Sequence, residues 1–174
     1  MNYGMIKPID SVNGVGVRVS LFVSGCRHRC PGCFNSQAAD FSYGKPFGQE
    51  QIDQIIKYLD HPYIKGLTIL GGDPIEPENH EMVYKTILAV RDEFGKTKTI
   101  WVYTGGVYEN IIKPDSRYQT PVLSDLLGSI DVLVDGPFVI EKKDISLKFR
   151  GSSNQRIIDM PETISQGKVI ELKV

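Results

Sequence analysis

Runs of apolar residues along the chain alternate with segments whose apolar residues recur at helical spacing. Residues Val17–Val23 are rich in β-branched and aromatic side chains and lie between Gly16 and Gly25, which predicts a buried strand. In residues 49–60, isoleucine and leucine occupy positions 52, 55, 56 and 59, the spacing that forms one apolar helix face. The first half of the chain is therefore predicted to contain a strand, a loop and an amphipathic helix.

The same alternation continues toward the C-terminus. Apolar runs lead into glycine at LTIL (67–70), TIWVYTGG (99–106) and DVLVDGPF (131–138), and helical spacing returns over about 79–94 and 123–127. Residues 150–156 form a polar stretch, and 169–174 are predicted to be a last strand. Wholly apolar strands separated by helices predict an α/β fold with a mostly parallel sheet covered on both faces.

Four polar turns follow the predicted strands. They are the loop that begins at Cys26, the turn at Asp73, the Thr104-Gly105 turn and the Asp135-Gly136 turn. Parallel sheets bind ligands at the carboxyl ends of their strands, so we expect all four turns to share one mouth.

Composition narrows the class of protein. A length of 174 residues predicts one domain over 1–174, and 41% hydrophobic with 24% charged residues excludes a disordered chain. Twenty basic and twenty-one acidic residues give no strong field toward nucleic acid or an anionic membrane. No apolar run approaches the ~20 residues that cross a bilayer, and the N-terminus lacks a signal-peptide pattern. We predict a cytoplasmic protein that binds neither nucleic acid nor membrane.

The cysteines are the strongest chemical signal. All three lie within eight residues, at Cys26, Cys30 and Cys33, in the spacing C-x3-C-x2-C. Disulfide scaffolds spread an even number of cysteines along the chain, so this arrangement indicates metal binding. A closed zinc site or an electron-transfer cluster ordinarily needs a fourth protein ligand. Three thiolates on an iron–sulfur cluster would leave one iron open to a substrate, whereas His28 would complete a structural Cys3His zinc site.

The residues between the cysteines fit either metal. Arg27 and Arg29 are expected to favour the thiolate forms through their positive charge. Pro31 and Gly32 allow the loop to curl so that the thiols face one centre.

Residues 26–33, the cysteine loop, are followed after a later strand by a Gly-Gly-acid turn. This combination resembles the radical S-adenosylmethionine (SAM) superfamily. The stretches DSVNGVGVR, LFVSGC, GGDP, WVYTG, VLVDGPF and RGSSNQR extend the resemblance over about residues 3–158. They are similar to the glycyl-radical-activating enzymes of anaerobic ribonucleoside-triphosphate reductase. The resemblance implies a shortened partial (β/α) barrel of the radical SAM type.

The resemblance also implies cofactors and partners. A [4Fe–4S] cluster on Cys26, Cys30 and Cys33 would cleave SAM to a 5′-deoxyadenosyl radical, which takes hydrogen from a glycine of the anaerobic ribonucleoside-triphosphate reductase. An electron donor such as flavodoxin would reduce the cluster. Because the cofactors carry the chemistry, no acid or base residue is expected. The nearest alternatives are a pyruvate formate-lyase-type activase and a deazaguanine synthase, and both RGSSNQR and GGDP argue against them.

The SAM contacts follow from the same resemblance. Asp73 matches the acid that contacts the SAM amino group, and Gly71 and Gly72 let the backbone approach closely. The alternative for Asp73 is an aspartate that satisfies its own turn. Thr104 and Asp135 are candidates for the ribose, the carboxylate or an adjacent cation, or for capping strand ends.

The adenine side departs from the superfamily pattern. Many members carry an aromatic residue just before the third cysteine, where this chain has Gly32. Phe34, on the other side of Cys33, is the candidate replacement. We expect residues 32–34 to contact SAM largely through their backbone.

Overall fold

A computed structural model describes residues 1–174 and contains one seven-stranded sheet. The strands lie in the order β3-β1-β2-β4-β5-β6-β7. Their bounds are β1 Asn2–Asp10, β2 Val17–Val23, β3 Lys45–Pro46, β4 Ile64–Gly71, β5 Thr99–Tyr103, β6 Val132–Asp135 and β7 Arg156–Asp159.

The centre of the sheet is parallel. Strands β2, β4, β5 and β6 run in one direction, while β1 and β7 pair antiparallel with β2 and β6, and β3 pairs antiparallel with β1. Apolar side chains align across the strands, with Leu21 beside Ile69, Ile69 beside Val102, and Val102 beside Leu133. This fully buried row forms the middle of the main core, which explains why the parallel strands are the most apolar segments of the sequence.

The helices form one layer on one face of the sheet. They are α1 Gln49–Leu59, α2 Pro77–Phe94, α3 Tyr108–Ile111, α4 Leu123–Gly128 and α5 Met160–Gln166. Contacts run from α1 to α2, from α2 to α4 and from α4 to α5. The predicted coverage of both faces is therefore wrong. The other face carries a smaller buried cluster around Trp101 and Val134. Strand residues of this face, such as Phe22, Leu70 and Tyr103, line a large cavity.

Segments at the edges of the sheet differ most from the sequence prediction. Val17–Val23 is confirmed as a strand but is the second one, because the mostly exposed Asn2–Asp10 precedes it. Residues 169–174 form no strand and contribute only an isolated bridge from Glu171 to Ile158. The segment still packs on the core through Val169 and Leu172, but its backbone bonds to β7 only between Ile170 and Asp159 and between Leu172 and Ile157. None of the helices combines the length and apolar character needed to cross a bilayer.

Candidate functional site

A cavity of about 1230 Å³ opens at the carboxyl ends of the parallel strands. All three cysteines line it, as do Gly71, Gly72, Thr104 and Gly105, which follow β4 and β5. The loop after β6 contributes Gly136. The structure thus brings the predicted turns to one mouth, although Asp73 and Asp135 lie behind the lining rather than in it.

Two glycines shape the cysteine loop. Gly25 has φ +96°, and a Cβ there would lie 2.2 Å from the ring of Phe41. Gly32 has φ +72°, and its Cβ would lie 2.8 Å from Cδ1 of Ile140. Both glycines have positive φ, a backbone conformation that other residues adopt only with strain, so the backbone at the residue before Cys33 disfavours an aromatic side chain.

Cys26 lies among carboxylates rather than cations. Its Sγ and the carboxylate oxygens of Asp73 and Glu76 lie within 4.8 Å of one another. Burial, followed by the charge of Asp73, raises the pKa of the Cys26 thiol to about 11. The expectation that Arg27 favours the thiolate is wrong for Cys26, because the Arg27 guanidinium pairs with Glu76 and Glu78. A bound metal is what would deprotonate this thiol.

Glu76 was not singled out in the sequence, yet it holds the cysteine loop. Its buried carboxylate accepts the backbone N–H of Arg27 and the Arg27 guanidinium, both at 2.8 Å, and that of Arg117 at 2.6 Å. Burial alone would raise the pKa of Glu76, but these hydrogen bonds outweigh it and lower that pKa. The only local signal was an acid just before Pro77 at the start of α2.

Asp73 is fully buried, and its carboxylate accepts three hydrogen bonds. Oδ1 accepts the N–H of Ile75 at 2.8 Å, which is the turn role considered as the alternative. Oδ2 accepts from the Thr104 hydroxyl at 2.9 Å and the Gly105 N–H at 3.1 Å, and it lies 3.1 Å from Nε2 of His28. The contact of Asp73 with SAM stays a prediction, whereas its bracing of the turn is visible.

The His28 imidazole lies beside the side chains of Asp73 and Tyr118. Besides Asp73, its Nε2 lies 2.9 Å from the hydroxyl of Tyr118, and the two rings stack with centroids 6.5 Å apart. The hydroxyl of Tyr118 in turn accepts a hydrogen bond from Arg117. The one group of three possible ligand atoms within 4.8 Å of one another comes from Cys26, Asp73 and Glu76, and it does not include His28.

The remaining predicted contacts divide into two groups. Thr104 and Phe34 line the cavity, and the exposed Phe34 ring packs on Phe138 with centroids 5.3 Å apart. Asp135 accepts hydrogen bonds from Arg156 and from the N–H of Tyr108, so its carboxylate already has structural partners. A role for Asp135 toward SAM stays a prediction.

The RGSSNQR stretch forms part of the cavity wall. Arg150, Gly151 and Gln155 line the cavity. The Gln155 side chain accepts the Gly151 N–H at 2.8 Å and donates to the carbonyl of Gly136 at 3.1 Å, which ties the loop to the end of β6. The sequence showed that the stretch is polar, but it did not show that the stretch faces the cavity.

Comparisons with known proteins show which family the chain is similar to. Residues 12–158 match a family model described as "4Fe-4S single cluster domain". An Escherichia coli K12 protein named anaerobic ribonucleoside-triphosphate reductase-activating protein is 45% identical over 157 residues, 89% of this chain and 96% of the relative. Proteins of the same name from Vibrio cholerae and phage T4 are 43% and 37% identical over 159 residues. Those alignments cover 90% of this chain and 97% and 93% of the two relatives.

Proposed function

The chain belongs to the family of anaerobic ribonucleoside-triphosphate reductase-activating proteins, and from this membership we propose that it generates a glycyl radical on that reductase. The observation that carries the proposal is the set of three thiols on one loop, facing a single large cavity. Thiolates are soft ligands that suit iron–sulfur clusters. The residues present therefore fit a [4Fe–4S] cluster held by Cys26, Cys30 and Cys33.

When bound, the reduced cluster would supply one electron to SAM, whose C5′–S bond would break to give methionine and a 5′-deoxyadenosyl radical. That radical would take one hydrogen atom from a reductase glycine, leaving 5′-deoxyadenosine and a glycyl radical. The chain's own residues hold, orient and enclose these groups. Gly71, Gly72 and Thr104 support a SAM site through their place in the cavity wall.

The proposed SAM site has an inner and an outer part. We assign Asp73 to the inner part of the SAM site because it braces the turn after β4. We assign Asp135 to the same part because it stands just before Gly136, which lines the cavity. At the outer end, Gly32, Cys33 and Phe34 would offer backbone groups and one exposed ring to the adenosine.

The architecture supports a finer assignment. We propose that residues 1–174 form a single radical SAM domain with a shortened partial (β/α) barrel. The single helix layer and the cavity on the opposite face of the sheet support this assignment. As an oxidoreductase of this type, the protein would act in the cytoplasm with a flavodoxin-like electron donor, and would bind neither nucleic acid nor membrane.

The alternatives receive less support. A Cys3His zinc module needs His28 beside the three thiols, but the possible ligand atoms that lie within 4.8 Å of one another come from Cys26, Asp73 and Glu76, without His28. A pyruvate formate-lyase-type activase or a deazaguanine synthase would not account for relatives that all carry one activating-protein name.

The test is anaerobic incubation of cluster-loaded protein with SAM, dithionite and the reductase, followed by EPR. We expect a glycyl doublet that Cys30→Ala abolishes. Ser124→Ala, an exposed change on α4 outside the cavity lining, should keep the signal. Formation of 5′-deoxyadenosine without a protein radical would contradict the activase role, and stoichiometric zinc without sulfide after reconstitution would contradict the cluster.

A further inference from the structure

Arg150 is a cationic side chain in the cavity wall to which nothing above gives a role. Its guanidinium donates through Nη1 to the carbonyl of Gln155 at 2.9 Å. Its Nε is buried and has no hydrogen-bond partner. An arginine carries five N–H donors, and a buried donor left unpaired destabilises the folded state. Such a group in a binding cavity indicates a missing acceptor.

The backbone that leads to Arg150 is held in an unusual conformation. Phe149 has φ +56°, one of two non-glycine residues with positive φ in the chain. Its carbonyl accepts the hydroxyl of Tyr103 at 2.8 Å, and its ring packs edge-on against Trp101. Strain of this kind persists where the surroundings enforce it and is common at ligand sites. These contacts hold the backbone beside Arg150, and the hydrogen bond from Nη1 to Gln155 orients its guanidinium.

No carboxylate of the chain pairs with Arg150. The ion pairs of the structure involve Arg27, Arg91, Arg117 and Arg156 but not Arg150. The two aspartates of the cavity lining are engaged locally, Asp40 with Ser42 and Asp144 with Ser146. The free donors of Arg150 therefore suit a carboxylate that arrives with a ligand, which a planar guanidinium binds well.

We propose that Arg150 binds the α-carboxylate of the methionine part of SAM. This assignment rests on the proposed function, because it needs SAM in the cavity. A second source of the same chemistry is an acidic side chain of the reductase, and the experiment below separates the two.

The experiment measures equilibrium binding of SAM and of decarboxylated SAM to anaerobic, cluster-loaded protein by calorimetry. Arg150→Gln should weaken SAM binding by roughly ten- to hundredfold, the range for a charged hydrogen bond, and leave decarboxylated SAM unchanged. Comparing variants on both ligands isolates Arg150 from every other partner of the carboxylate. Lys143→Gln removes another cation of the cavity wall and should weaken both ligands equally or not at all.

Each outcome decides the assignment. Unchanged SAM affinity with weaker reductase binding in Arg150→Gln overturns SAM as the source and assigns the carboxylate to the reductase. If Arg150→Gln changes neither the affinity for SAM nor the affinity for the reductase, Arg150 does not bind a carboxylate from either source. If Arg150→Gln fails to load the cluster, Arg150→Lys replaces it as the test variant. It keeps the positive charge but lacks the planar pair of N–H donors, so it must weaken the binding of SAM, by a smaller factor, and leave the binding of decarboxylated SAM unchanged. Wild-type protein that binds no SAM would instead contradict the proposed function.

Discussion

At the scale of single residues, Glu76 links three segments that are distant in sequence. Glu76 itself stands at the start of α2. Its carboxylate binds Arg27 of the cysteine loop and Arg117 of the segment before α4. A buried carboxylate with charged partners leaves those partners uncompensated when it is removed. The residue therefore matters more for stability than its absence from any motif suggests.

We expect Glu76→Gln to destabilise the protein by about 1–3 kcal/mol, a value discounted because Arg27 and Arg117 are 48% and 41% exposed. Thermal unfolding under anaerobic conditions should show a fall of several degrees. Glu78→Gln removes a carboxylate from the same Arg27, but on the surface, and should change the midpoint far less. Equal effects of the two variants would contradict a special role for the buried acid.

At the scale of elements, strands β4 and β5 approach closely at one point. Gly66 faces Thr99, and a Cβ on Gly66 would lie 1.8 Å from the Thr99 carbonyl oxygen. We expect Gly66→Ala to destabilise the protein by about 3 kcal/mol, because backbone atoms cannot move as a flexible side chain can. Thermal unfolding measures this. Gly128→Ala, with nothing within 4 Å, should be neutral or slightly stabilising.

Helix α3 and strand β7 are joined by an ion pair that predicts a pH effect. The hydrogen bond from Arg156 lowers the pKa of Glu109 to about 2, from an ordinary 4.5. A carboxyl whose pKa is lower in the folded state stabilises the fold above its unfolded pKa. That stability is lost as the pH falls from about 4.5 toward 2. Because the Glu109 side chain is 51% exposed, the contribution is at most about 1 kcal/mol.

The measurement is the stability difference between cluster-free wild type and Glu109→Gln as a function of pH. We expect wild type to be more stable near neutral pH and the difference to shrink below pH about 4.5. Glu93→Gln changes an exposed carboxylate of α2 without an ion pair and should give a small difference at every pH. A Glu109→Gln difference that grows toward low pH would contradict the assignment.

The buried centre of the fold and the grouping of the three cysteines on one cavity could be predicted from the sequence because both depend on local pattern. Apolar runs marked β2, β4, β5 and β6, and the spacing of three cysteines sufficed to put them on one cavity wall. Strand β1 was missed because most of it is exposed, so burial left little pattern in its residues. Glu76 and Asp135 take their partners from Arg117 and Arg156, contacts between distant segments that no local spacing reveals.

At the scale of the whole molecule, the cysteine loop is bound to several parts of the fold. Its first residues pair with the backbone of Ala38 and Ala39, Arg27 is tied to Glu76, and His28 contacts Tyr118. A cluster that binds only the native chain stabilises it by mass action. Because the loop has these attachments, we expect cluster binding to raise the unfolding temperature of the whole protein rather than to order the loop alone.

The last prediction concerns air. One iron of the proposed cluster has no thiolate from the chain, so oxygen should destroy the cluster and remove its stabilising effect. Exposure to air should therefore bleach the visible absorbance and bring the unfolding temperature down to that of the cluster-free protein. Cys30→Ala, which should not retain the cluster, should unfold at one temperature with or without air. A cluster absorbance that persists in air would contradict the open iron, even if the three thiols are its ligands.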